Sequence, residues 1–121
     1  MSDETLCRII EKIFELSTNI RYVALKCEHL VQTSQRDSFP NASSHESDHY
    51  EELFVNPILL ALAKARGDLD CGGAQFVIVG YGNFLQLVIA LTSGHVSVCF
   101  AKESEPIRYV DPILAICDEV S

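Results

Sequence analysis

The sequence predicts an α+β fold in which a central five-stranded antiparallel sheet is packed with helices, in the order αββαβββα. Three observations predict it. Apolar residues recur at helical spacing in three stretches, at the two ends of the chain and in its middle. Between these lie five stretches whose apolar residues alternate or run on without interruption. The connections among the last three are short and carry glycine, so they read as hairpins of a meander. A sheet with helices laid on it buries such a pattern. The 121 residues fit a single domain, 1–121. Folding at this size removes roughly two thirds of the extended chain's surface from water, enough for one core. With 48% hydrophobic and 21% charged residues, the chain is globular in composition rather than disordered.

Each element has its own signal. Residues 3–17 read as a helix, with Leu6, Ile9, Ile10, Ile13, Phe14 and Leu16 at three and four spacing. Asp3 and Glu4 lie where the amide end of a helix favours negative charge. Residues 20–36 read as two strands, Val23, Leu25 and Cys27 alternating with Tyr22, Ala24 and Lys26. Their turn is expected at Cys27-Glu28-His29, where no glycine or asparagine fixes the register. Residues 37–46, DSFPNASSHE, read as a flexible loop, because Pro40, Asn41 and the serines break both periodicities.

Residues 47–66 read as one helix or two in tandem, with Ser44 or Ser47 as the cap. Asn56-Pro57 is a cap followed by proline, which predicts a break at Asn56 and a second helix from Pro57 to Arg66. Ile58, Leu59, Leu62 and Ala63 form its apolar face, widened by Leu60 and Ala61. Gly67 suits the position just past its end. The small Ala61, Ala63 and Ala65 permit close packing on another helix. After the turn DLDCGG, three strands are expected at Ala74–Gly80, Asn83–Leu91 and His95–Ala101. Pro106 or the pair Asp111-Pro112 opens a last helix, whose apolar side is Ile113, Leu114, Ile116, Cys117 and Val120.

Charge narrows the function. Nine Lys and Arg stand against 17 Asp and Glu, a formal net charge of −8. That surface repels phosphate backbones and anionic membrane, and no basic cluster offers a local exception, so no nucleic-acid partner is expected. No apolar run approaches the 18 or so residues that span a bilayer, so no membrane insertion is expected. The start, MSDETLCRIIEK, lacks the basic-then-apolar order of a signal peptide, and the protein is expected to be cytoplasmic. The five cysteines contain no CxxC pair and read as buried free thiols of a reducing compartment.

The residues that could carry chemistry do not assemble into a site. His45-Glu46-Ser47-Asp48-His49 matches H-E-x-x-H, in which two histidines one turn apart bind zinc and the glutamate is the base. A zincin needs that motif well inside a packed helix, whereas here it follows DSFPNASS. Gly80-Tyr81-Gly82-Asn83 lacks G-x-G-x-x-G and precedes a strand, so it reads as a turn. Cys71 reads as the most exposed thiol, but Asp68 and Asp70 beside it oppose thiolate formation. His95 and Cys99 lie about 13 Å apart along a strand, too far to act as a pair. Glu51/Glu52 and Glu103/Glu105 read as solvated pairs, and His29 and His95 as histidines satisfied locally. No catalytic, cofactor-binding or metal-binding residue is assigned, and the chain is not expected to be an enzyme.

The element order, the length and the stretch GGAQFVIVGYGNFLQLVIALTSGHVSVCF resemble the roadblock/LC7 superfamily, with NPILLALAKARGDLD as the central helix. The resemblance covers residues 3–119 and implies a profilin-like fold. It also implies a non-catalytic adaptor or regulator that dimerises and acts with a small Ras-like GTPase or a component that the adaptor regulates. By that resemblance the dimer interface is Leu59, Ala63, Gln75, Val77 and Val79. The residues themselves point the same way. Ala74–Gly80 is apolar on both faces, yet it begins a meander, which places it at a sheet edge. An uncovered flat apolar edge invites aggregation, and pairing two such edges about a two-fold axis removes the hazard. The alternative reading is a PAS-like sensor that encloses a small molecule between sheet and helices.

Overall fold

The computed structural model describes residues 2–36 and 44–120. Of the predicted loop 37–46, residues 37–43 lie outside the described residues. His45 and Glu46 already belong to a helix.

Helix α1, Asp3–Phe14, starts where the Ser2 hydroxyl accepts the Thr5 N–H at 3.3 Å. It ends at Phe14, three residues short of the predicted Ser17. Its Leu6, Ile9, Ile10 and Ile13 are buried on one stripe. They meet Val23, Leu25 and Cys27 of β1 (Ile20–Cys27), Leu87 and Ile89 of β4 (Leu85–Leu91), and Val96, Val98 and Phe100 of β5 (Gly94–Phe100). Helix α4, Val110–Ile116, adds Val110 and Ile113 to this layer, and the 3₁₀ turn Cys117–Val120 adds Cys117 and Val120. Each such side chain contributes about 1.5–3 kcal/mol by leaving water.

The sheet holds five antiparallel strands in the order β2-β1-β5-β4-β3, where β2 is Leu30–Gln35 and β3 is Phe76–Gly80. The predicted architecture is therefore found, with β3 at an edge. The first hairpin closes with Cys27 opposite Leu30, leaving Glu28 and His29 as the turn. Glu28 takes the left-handed conformation, φ 56°, that glycine or asparagine would supply at less cost. Arg36 ties the end of β2 back to α1. Its guanidinium donates to the carbonyls of Ile20, Phe14 and Ser17 and lies over the Phe14 ring.

The other face of the sheet carries the central helix. It begins at Ser44, whose hydroxyl accepts the Ser47 N–H at 3.1 Å. Helix α2, His45–Tyr50, runs into a π-helical turn, Glu51–Val55, and on into α3, Asn56–Asp70. The break predicted at Asn56 is absent. Asn56 is helical, and its N–H reaches Glu51 O, five residues back. Pro57, next in line, has no N–H to give, so it falls where the hydrogen-bond register is already changing. Gly67 does not end the helix either. It is buried within α3, and a Cβ there would lie 2.7 Å from the Gly73 carbonyl carbon. The chain turns at Gly72 and Gly73, both at positive φ. No helix of the described residues is long and apolar enough to cross a membrane.

Candidate interaction face on the central helix

The central helix is amphipathic the wrong way round for a helix on a sheet. Asp48, Glu52, Asn56 and Gly67 are its buried residues, four, four and eleven apart, on the side that meets the strands. Tyr50, Phe54, Ile58 and Leu62 recur every four residues on another side and face solvent, as does Leu69. The predicted core face is thereby corrected. Ile58 is 57% exposed and Leu62 67%, while Leu59 and Ala63 are half-buried. Hydrophobic periodicity fixes that a stripe exists but not which way it points.

The buried side is organised by Glu52, which is 0% exposed. One carboxylate oxygen accepts the Tyr22 hydroxyl of β1 at 2.8 Å. The other accepts Asn56 Nδ2 at 2.9 Å and lies 2.7 Å from His95 Nε2 of β5. Beside this hub, Gln35 Nε2 donates to Asp48 at 2.6 Å and Gln86 Nε2 to Ser97 Oγ at 2.8 Å. Burial, and then the Glu52 charge, push the Tyr22 phenol far up from its ordinary value. Burial, and then Glu51 and Glu52, do the same to the Cys99 thiol. Burial also raises the Glu51 carboxyl and the Tyr81 phenol. Of these groups the Tyr22 phenol is the one that donates to Glu52 and so helps to fasten the helix to the sheet. A catalytic base must reach a substrate proton. Glu52 and His95 are both buried and bonded to each other.

The sequence reads Glu52 as solvated, which its burial corrects, and His95 as satisfied by hydrogen bonds, one of which comes from Glu52, 43 residues away in the chain. The only signal for Glu52 is its spacing: Asp48, Glu52 and Asn56 repeat on a side that the apolar residues avoid. The cysteines divide: Cys27, Cys99 and Cys117 are buried, whereas Cys71, as expected, and Cys7, against expectation, are exposed. The H-E-x-x-H residues fall on the short α2, with Asp48 turned inward to Gln35. Among the described residues no group of three or more His, Cys, Asp or Glu is placed to hold a metal ion. Gly80-Tyr81-Gly82-Asn83 joins β3 to β4 as a turn, Tyr81 N–H bonding Phe84 O at 2.9 Å.

Of the five residues expected at an interface, Leu59 and Ala63 lie on α3 and Val77 and Val79 on β3, which pack together, and Gln75 lies just before β3. Val77 and Val79 are half-buried opposite Val88 and Gln86, on the sheet face that the central helix covers. Gln75 is exposed just before them, and its carbonyl accepts the Ala90 N–H at 2.9 Å. Leu59 and Ala63 stand half-buried on α3. Among the described residues the outer edge of β3 has no strand beside it.

No protein-family model matches the chain, and no curated protein matches it in sequence. Solved structures do match. A roadblock/LC7 domain from Streptomyces avermitilis superimposes with a TM-score of 0.68 over 93% of this chain and 92% of that one, at 17% identity. The fold is that of roadblock/LC7 domains. An MglB structure with a tetrameric arrangement matches at a TM-score of 0.67, 100% and 96% coverage and 14% identity. The gliding protein MglB from Thermus thermophilus matches at 0.62, 96% and 90% coverage and 16% identity. In this fold the edge strand β3 and the outward stripe of the central helix lie side by side, and among the described residues neither is covered.

Proposed function

We propose that the chain is a non-catalytic protein-interaction module that works as a homodimer and docks on a further protein, a small Ras-like GTPase or a component acting with one. The observation that carries this reading is the reversed central helix beside an open strand edge. Tyr50, Phe54, Ile58 and Leu62 leave apolar surface in water along one contiguous stripe, the mark of an interaction surface. Pairing two β3 edges about a two-fold axis extends the sheet and covers Leu59, Ala63, Gln75, Val77 and Val79. The stripe from Tyr50 to Ile58 is then left for the second partner. The MglB structure with a tetrameric arrangement is of a protein that self-associates on this fold. A net charge of −8 favours a partner with a basic patch, so the association weakens as salt rises. Capture from the source cell tests the partner, with the wild-type chain and Ile58→Glu as baits. A Ras-like GTPase retained by the first and lost by the second supports the reading. If neither bait retains a protein and the pure chain carries a bound small molecule, the sensor reading replaces it.

A further inference from the structure

The two helical layers are fastened to the sheet by different chemistry. Helix α1 sinks Leu6, Ile9, Ile10 and Ile13 into the core, each 3% exposed or less. From Ser44 to Asp70 the helical arm sinks no apolar side chain to that depth among the described residues; its buried members are Asp48, Glu52, Asn56 and Gly67. Beneath it the sheet offers Tyr22, His95, Ser97 and Gln86, with Ala24, Val88 and Cys99 as smaller buried apolar groups. Two acceptors in this layer, Asn56 Oδ1 and Gln86 Oε1, are buried with no hydrogen-bond partner among the described residues. The free energy of local opening follows the apolar surface that opening exposes. Lifting the arm exposes less such surface than lifting α1 would, because Tyr50, Phe54, Ile58, Leu62 and Leu69 already face water and its other large apolar residues are only half-buried. It also returns Glu52, Tyr22, His95 and the two orphan acceptors to water, which offsets most of the hydrogen bonds lost.

We propose that the central helix is a hinged arm, latched to the sheet by Glu52, which lifts as a unit while α1, α4 and the sheet remain folded. Gly72 and Gly73, at φ 80° and 91°, form the pivot at its carboxyl end. The π-helical turn Glu51–Val55 marks the latch, since it sets Glu52 on Tyr22 and His95 while Asn56 bonds the same carboxylate from within the arm. A protein that grips the outward stripe of the seated helix holds the latch shut, so docking and seating are one equilibrium. The device itself requires only this chain and stands whether or not it dimerises.

Residue-resolved native-state hydrogen exchange on the full chain tests this, under conditions where exchange reports the opening equilibrium. In the wild type, α3 amides should exchange as one group, at least about 10-fold faster than those of β1 and β5. Glu52→Gln removes the charge at constant size and should speed α3 exchange about 10- to 100-fold. Ile9→Val weakens only the α1 side. It should speed β1 and β5 exchange about 2- to 10-fold and leave α3 unchanged, because the α1 core survives when the arm lifts. Should Glu52→Gln fail to fold, Tyr22→Phe removes one of the three bonds and should speed α3 exchange in the same sense. The proposal is overturned if α3, β1 and β5 exchange at one common rate, or if Ile9→Val speeds α3 as much as β1.

Discussion

At Gly94 a side chain of even one carbon would lie 1.8 Å from the Lys26 carbonyl oxygen and 2.7 Å from its carbon. The start of β5 therefore passes the end of β1 at a distance only glycine permits. Gly94→Ala is expected to cost about 1–3 kcal/mol, read as a lower urea midpoint at unchanged slope. Cys117 makes a different demand. Burial, with a smaller contribution from Cys27, pushes its thiol up to about 12. A group that holds its proton more tightly when folded gives its full stability below its unfolded value, an ordinary 9.0, and loses it as pH rises toward the folded one. The urea midpoint should fall progressively between pH 9 and 12, and Cys117→Val should flatten part of that fall. A midpoint flat across this window in the wild type would show that the thiol is not buried as described. These positions were only partly readable in the sequence. A glycine in the turn Thr92-Ser93-Gly94 announces a hairpin, but not the carbonyl that forbids its replacement. Glu52 looks like its neighbour Glu51 until the strands bring Tyr22 and His95 beneath it, from 30 and 43 residues away in the chain.

Among elements, the central helix separates what local sequence determines from what packing determines. Its existence follows from residue spacing, but its start, its continuity and its orientation do not. Ser44 caps it, as one of two candidate serines. Asn56-Pro57 has the chemistry of a helix start, yet the π-helical turn absorbs the proline and the helix runs on. Gly67 has the chemistry of a helix end, yet it serves as the notch in which the returning Gly73 backbone lies. The reversed orientation predicts an outcome opposite to that of an ordinary helix. Ile58→Glu should shift the unfolding free energy by no more than about 0.5 kcal/mol, as at a surface position. Ile9→Ala on α1 should cost about 2–5 kcal/mol. A loss of several kcal/mol for Ile58→Glu, measured by urea unfolding of the dissociated chain, would put Ile58 in the core and refute the stripe. The pairs Lys64–Asp68 and Arg66–Asp70 on the same helix are exposed, and their loss should be nearly silent.

For the whole molecule, the five antiparallel strands and the edge position of β3 were legible because they rest on alternation and on short connections, both local signals, whereas the pairing of β1 with β5 that sets the strand order joins distant segments and was not. The division of the sheet into an apolar face under α1 and α4 and a polar face under the central helix was not. It depends on which strand faces each helix meets, and a strand pattern such as Tyr22-Val23-Ala24-Leu25 shows two faces without ranking them. That division leaves the chain with one well-filled core and one open flank, formed by the edge of β3 and the outer side of α3. On the proposed function that flank is where a second copy of the chain pairs. Light scattering at micromolar concentration measures this directly. A homodimer is expected to scatter as a particle of about 27 kDa, twice the chain mass of 13.4 kDa, that Val77→Lys splits to single chains with the far-UV circular dichroism unchanged. A wild-type particle of 13.4 kDa at that concentration would contradict it.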